Sequence, residues 1–200
     1  MPRNFHLLIS LIRWVLLTLL LVVPTAYGWD RDDRLAIMAA DLLPAILGAQ
    51  KNFNEFYFPS LLEDKSEARE ITVQVLYRKK RYLAERTVKR VNNLSPIKGV
   101  KLKAIAIQPH EIKNLKDQYK PSRKLLFIIE NMGKQLNTIQ ELAIKNNDIT
   151  YSSSIKDVEK GIAVGLSVTE RVLPVINESS LSKIQLQFSP LFMRIAKKVK

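Results

Sequence analysis

The sequence contains no cysteine among its 200 residues, which excludes disulfides, thiol redox control and lipid attachment of the bacterial lipoprotein kind. Histidine is nearly as scarce, with only His6 and His110 present. A zinc site would have to combine one histidine with several carboxylates, an uncommon set, and His110 lies between Pro109 and Glu111 at a helix start, where an exposed or capping role is expected. The six glycines form neither a G-x-G-x-x-G turn nor a Gly-Lys-Ser/Thr phosphate loop. No G-x-S-x-G elbow frames a serine, because Thr169 stands where Gly165-Leu-Ser167 would need its second glycine. Acid pairs such as Glu63-Asp64 and Asp157/Glu159 read as solvated surface. No catalytic residue, metal ligand or cofactor is expected, and there is no internal repeat.

Acidic residues are missing before Asp30, while Arg3 and Arg13 supply positive charge. Trp14 to Val23 is apolar except for Thr18, Pro24 breaks the run, and Ala26-Tyr27-Gly28 sets small residues three and one before a cut. This layout predicts a cleavable signal peptide over residues 1–28. Arg13 splits Leu7–Val23, which is otherwise close to the ~20 apolar residues that a membrane span needs. Export and a periplasmic location follow as expectations, with a single domain over 29–200. The formal net charge is +13 and stays strongly positive without the leader. Outside the cytoplasm that favours acidic faces of proteins, headgroups or envelope polymers over nucleic acid.

Asp30 to Asp33 can cap a helix, and Leu35 to Leu47 is apolar nearly all round, so a buried helix is expected, kinked at Pro44 and stopped at Gly48. Asn52–Ser66 reads as irregular, with Phe53, Phe56, Tyr57 and Phe58 forming a packed corner. Strand and helix then alternate: strands at 71–77, 100–107, 125–129 and 149–151, helices at 83–94, 109–119 and 132–145. Lys101 and Lys103 mark the second strand as an edge. Continuously apolar Leu125–Ile129 fits a central parallel strand. Gly161–Val168 and Arg171–Ile176 read as adjacent strands, with a short helical piece at 181–184 and a last helix at 190–199 capped by Ser189. Leu191, Phe192, Ile195 and Ala196 should form its buried face. The pattern predicts an α/β fold: one three-layer domain, a mostly parallel central sheet with helices on both faces, and an antiparallel strand pair near the C-terminus.

Two candidate sites follow. Arg78, Lys79, Lys80 and Arg81, continued by Arg86, Lys89 and Arg90, form a basic cluster that is either a solvated face or an electrostatic docking surface for an acidic partner. Ligands of open parallel sheets sit beyond the carboxyl ends of the strands, an edge lined here by Tyr77, Gln108, Glu130, Asn131, Tyr151, Ser152 and Ser153. This edge supports an alternative reading, a periplasmic small-ligand-binding protein.

The tail carries a resemblance. Asp157-Val-Glu-Lys-Gly161, Gly165-Leu-Ser-Val168, Arg171-Val-Leu-Pro-Val-Ile-Asn177 and Phe188-Ser-Pro-Leu-Phe-Met-Arg-Ile-Ala196 resemble the closing segment of the YfiR/HmsC-like family, and the likeness extends more loosely over Leu35 to Ile149. It implies a periplasmic, non-enzymatic α/β regulator. Such a protein binds the periplasmic part of an inner-membrane sensor or diguanylate cyclase, and so affects cyclic-di-GMP signalling and biofilm formation. A homodimer is compatible with this reading. Members that are tuned by disulfides differ from this chain, which has no cysteine to form one.

Overall fold

The computed structural model describes residues 30–58, 70–111 and 123–199, and the expected leader and most of the expected 109–119 helix lie outside them. Residues 32–200 form one compact unit. Its elements in chain order are α1 (Arg31–Gly48), α2 (Phe53–Tyr57), β1 (Glu70–Leu76), α3 (Arg81–Asn92), β2 (Lys101–Ile107), a 3-10 turn (Pro109–Glu111) and β3 (Leu125–Ile128). There follow α4 (Gln135–Asn146), β4 (Ile149–Ser152), α5 (Ile155–Glu159), β5 (Val164–Val168), β6 (Val172–Asn177), α6 (Glu178–Lys183), α7 (Pro190–Ile195) and β7 (Lys197–Val199).

The seven strands form one sheet in the order β2-β1-β3-β4-β5-β6-β7. β2 through β5 run parallel, β5 and β6 pair antiparallel, and β7 adds parallel to β6. This is the expected mostly parallel α/β sheet with its antiparallel pair, and β2 with exposed Lys101 and Lys103 is an edge. The parallel part has the order 2-1-3-4-5 of a doubly wound sheet, whose switch point lies between β1 and β3.

Strand alternation divides the apolar residues between two faces. One face carries Val73, Val75, Phe127, Tyr151, Val164 and Ile176 against α1, α2, α3 and α7. The other carries Leu76, Ile107, Leu126 and Ile128 against α4. Besides Asp33, only an apolar stripe of α1 is buried, Ala36, Ala39, Ala40, Leu43, Ile46 and Leu47, while Ala45 is exposed, so the helix is amphipathic rather than enclosed. The aromatic corner is real, although five of its residues form a short helix: Phe53, Phe56, Tyr57 and Phe58 are all buried, with ring centroids 5.2 Å apart in the Phe53–Tyr57 and Phe56–Tyr57 pairs. Gly165 permits a close approach, since a Cβ there would fall 2.4 Å from Val158 Cγ2 and 3.0 Å from the Ser152 carbonyl.

The carboxyl terminus departs from expectation. The last helix stops at Ile195, and Lys197–Val199 becomes an edge strand instead of one further helical turn. Phe192 and Ala196 are buried, with Phe192 stacked on Phe188 at 4.4 Å, but Leu191 and Ile195 are exposed. The helix is therefore held by one aromatic anchor rather than a broad apolar face. Phe192→Ala should cost about 3–5 kcal/mol of stability, whereas Leu191→Ala should stay within about 0.5 kcal/mol. Urea denaturation of the two variants checks this, and equal losses would contradict the observed helix face.

Candidate functional site

The carboxyl edge of the sheet is organised around Glu130. β3 ends two residues earlier, at Ile128, and the Ile129 N–H still reaches the Leu76 carbonyl at 3.4 Å. The chain leaving β1 turns there through Arg78–Lys80 into α3, and the amides of that loop, the N-cap Lys80 included, have no partner in strand or helix. Glu130 Oε1 accepts from the backbone N–H of Arg78, Lys79 and Lys80 at 2.6, 2.8 and 2.9 Å. A single carboxylate thus fills, at the switch point, the kind of amide cradle that binds anionic ligands in such sheets. Partial burial raises the Glu130 carboxyl, but these amides and the Arg78 charge outweigh it and hold its pKa below the usual carboxylate value. The following turn is tight. Asn131 Oδ1 accepts from the Gly133 N–H at 2.8 Å, and Gly133, at φ +57°, leaves room for the Arg78 guanidinium.

Of the basic set, Arg78, Lys79, Arg81, Arg86 and Arg90 are exposed, and Lys80 is half-buried. They lie along α3 and its entry loop, but Arg81 and Arg90, nine residues apart, fall on opposite flanks of the helix. Several carry local counter-charges. Lys80 Nζ lies 2.5 Å from Asp33 of α1, and the Tyr82 hydroxyl donates to that same buried carboxylate. Arg90 pairs with Asp41, one α1 turn-pair further on, and Arg81 pairs with Glu85 at 2.8 Å within α3. α1 and α3 are therefore stitched side by side by two acids, of which the sequence marks only Asp33, and that as a helix cap. Exposed pairs such as Arg81–Glu85 contribute little to stability.

The expected ligand edge is not a single surface. Tyr77 is half-buried against the main core, Gln108 gives its N–H to Glu111 at 2.6 Å, and only Asn131 is exposed. Tyr151 lies in the core rather than on the edge: its ring is fully buried beside Phe127, and its hydroxyl donates to the Ala39 carbonyl at 3.0 Å. Ser152 and Ser153 are also buried. Ser152 Oγ donates to Asp157 Oδ2 at 2.7 Å and accepts from the Ser154 N–H, so α5 folds over the end of β4. Burial raises the Asp157 carboxyl, against the Ser152 bond and Lys160.

Asp148 is the other raised carboxylate. Burial pushes it up to about 6, against the Lys124 amide at 2.8 Å and the charges of Lys124 and Arg123. It precedes β4 and so lies at the opposite end of the sheet from His110, which follows β2. Asp157 shares the His110 end, but β2 and β4 are three strand spacings apart, roughly 14 Å. Neither carboxylate forms an acid–base pair with His110. Among the described residues no group of histidine and acidic side chains is placed to hold a metal ion, and no helix is long and apolar enough to cross a membrane.

No protein-family model and no curated protein matches the sequence. Two solved structures align with it at 11% identity. One is the ABC domain in complex with L-Trp from Streptococcus pneumonia, with a TM-score of 0.47 over 77% of this chain and 60% of that one. The other is a conserved domain protein from Vibrio cholerae O1 biovar El Tor str. N16961, with a TM-score of 0.48 over 81% of this chain and 60% of that one. The chain spans less than two thirds of the length of either.

The two carboxylates predict opposite pH behaviour. The fold lowers the Glu130 pKa, so its contribution is present above the unfolded value near 4.5 and is lost as pH falls through the lower folded value. Glu130→Ala should cost about 1–3 kcal/mol at neutral pH by stranding three amides, and the difference from wild type should shrink in acid. Asp148 is raised from 3.8 to about 6, so the folded protein holds its proton more tightly and stability falls as pH rises between those values. Asp148→Asn should recover about 2–3 kcal/mol at neutral pH. Denaturation midpoints at several pH values from 3 to 8 would reveal both effects, and parallel pH profiles for all three proteins would refute them.

Proposed function

We propose that this chain is an exported, non-enzymatic regulatory protein that docks on an acidic region of an inner-membrane signalling protein through the cationic face of α3 and its entry loop. The observation that carries the reading is the Glu130 carboxylate in its three-amide cradle. It commits the switch point to an internal anion while leaving Arg78, Lys79 and the exposed α3 cations facing solvent beside it. Exposed Tyr82 sits among those cations and adds an aromatic side chain of the kind that interfaces favour. The resemblance to the YfiR/HmsC-like family supplies the partner class, a sensor or diguanylate cyclase whose cyclic-di-GMP output the contact restrains.

Such a face works mainly by steering association. Charge reversal by Arg78→Glu with Arg81→Glu should slow association with the solubilised membrane partner by roughly tenfold at low salt, and should flatten its salt dependence. Both residues are exposed, so circular dichroism should be unchanged. Unaltered kinetics in the folded double variant would place the interface elsewhere. Export has its own check: mature protein should begin near Trp29 and fractionate with the periplasm, and full-length chain retained in the membrane would refute it.

A further inference from the structure

The two edges of the sheet are closed to different degrees. In the middle of β2, Asn92 Oδ1 accepts from the Ala104 N–H at 2.7 Å and its Nδ2 donates to the Ala104 carbonyl at 3.4 Å, the two bonds that a neighbouring strand would make. Exposed Lys101 and Lys103 precede that plug, and an edge so defended resists pairing. At the other edge β7 covers only Val175–Asn177 of β6. The Arg171 carbonyl accepts from the Thr169 N–H, and the Asn177 N–H donates to the Ala163 carbonyl, so the odd-numbered residues of β6 turn their backbone groups toward β5. Val172 therefore aims its N–H and C=O outward, where no strand and no side chain meets them among the described residues.

Alternation gives this gap two unlike sides. Val172 and Pro174 face α1 and α7 across an open groove of about 480 Å³ that Leu42, Ala45, Leu191 and Ile195 also line. Of the four large hydrophobic side chains exposed among the described residues, three stand here: Val172 at 40%, Ile195 at 54% and Leu191 at 69%. Arg171 and Leu173 face the other side, as does Lys197, which is paired with Val175. Arg171 and Lys197 are exposed and form no ion pair among the described residues. They stand four positions apart along the edge, roughly 13 Å, with Leu173 midway. Glu170, in the β5–β6 turn, is the one acid within 164–177 and 190–199.

An occupant of this gap must bring a donor and an acceptor for Val172, an apolar group for the groove and negative charge for the opposite side. A second copy paired edge to edge about Val172 would set its own Arg171 opposite Leu173, between two like charges. An extended acidic peptide meets all three conditions. Running antiparallel to β6, its residue opposite Val172 exchanges both hydrogen bonds and turns its side chain to the groove. The residue before it lies opposite Leu173, between Arg171 and Lys197, and the residue after it lies opposite Arg171. We propose that the free edge of β6 at Val172 docks an extended acidic–apolar–acidic segment of a partner protein, added antiparallel to the sheet. β7 begins level with Val175, which limits the added ladder to about three residues. This surface is separate from the α3 face and does not depend on it.

The test is an NMR titration of the isotope-labelled protein with the blocked peptide acetyl-Ser-Asp-Leu-Asp-Ser-amide. Saturable shifts are expected at Val172 and along α7, with slowed exchange of the Val172 amide. Methylating the leucine nitrogen removes the donor to the Val172 carbonyl and should weaken binding at least about fivefold. Lysine in place of both aspartates should weaken it at least about tenfold at low salt. Ala45→Trp on the groove side and Arg171→Glu on the other, both at exposed positions, should each weaken the aspartate peptide with the fold intact. Arg171→Glu with Lys197→Glu should make the protein prefer the lysine peptide. The Arg78→Glu/Arg81→Glu protein should bind as wild type does, which separates failure of this edge from failure of the α3 face. Shifts that do not saturate, or equal binding of the methylated or lysine peptide, would overturn the proposal. So would self-association that shifts the same amides, which would make a second copy the occupant.

Discussion

Glu130 ties the two central strands together at the end where this fold class does its work. β1 and β3 are adjacent and parallel, so both chains leave the sheet at the same place and must diverge. The amides of the loop that leads into α3 need an acceptor, and a ligand anion, water or a side chain could each provide it. Here one carboxylate takes three amides, and this fixes the entry of α3. Leu83, Ala84, Thr87 and Val91 then face the sheet, so the intervening arginines and lysines must face out. A structural need of the backbone and the exposure of a cationic surface have the same origin.

The α3 surface is less positive than a count of its lysines and arginines suggests. Asp33 and Asp41, about two turns apart on α1, meet Lys80, Tyr82 and Arg90. They occupy a buried or half-exposed seam, where a carboxylate needs a partner more than it does in water. The field on the outer face is therefore set by the cations furthest from α1, with Arg78 and Lys79 at the loop. A partner that reads this face would sense its loop end more strongly than its helix end.

Most of the fold is legible because each element buries one periodic set of apolar residues. β-branched runs gave the strands, short links made them parallel, and Lys101 with Lys103 marked the edge. What escaped depends on contacts distant in sequence. Lys197–Val199 reads as the basic end of a helix, and becomes a strand only because β6 offers an unpaired edge to Val175–Asn177. Tyr151 and Ser152 follow a plausible strand end, but alternation sends the ring into the core, and α5, five residues long, is too short for a periodic signal. Glu130 looks like any acid after a strand. Its role requires loops some fifty residues apart to be adjacent, which only the pairing of β1 with β3 supplies. The basic cluster was visible as text, whereas its counter-ions on α1 were not.

The same competition for position explains why the groove beside α7 stays open. Leu191 and Ile195 could be buried if the helix rolled about its axis, but it is clamped at both ends. The Ser189 N–H bonds to the Ala49 carbonyl at 2.9 Å, and β7 begins immediately after Ala196 and is held in register by β6. A roll would also break the Phe188–Phe192 stack. Across the gap stand Ala45 of α1 and Ala49 just after it, too small to reach the helix, and β7 pairs only with the later half of β6, so Val172 and Pro174 have no neighbour strand beyond them. Proline is tolerated there because no ladder partner needs its missing N–H. The exposed apolar side chains are thus held apart by hydrogen bonds and register rather than left over from incomplete packing. A cleft maintained in that way keeps its shape whether or not it is filled, and the ordering cost of binding is correspondingly small.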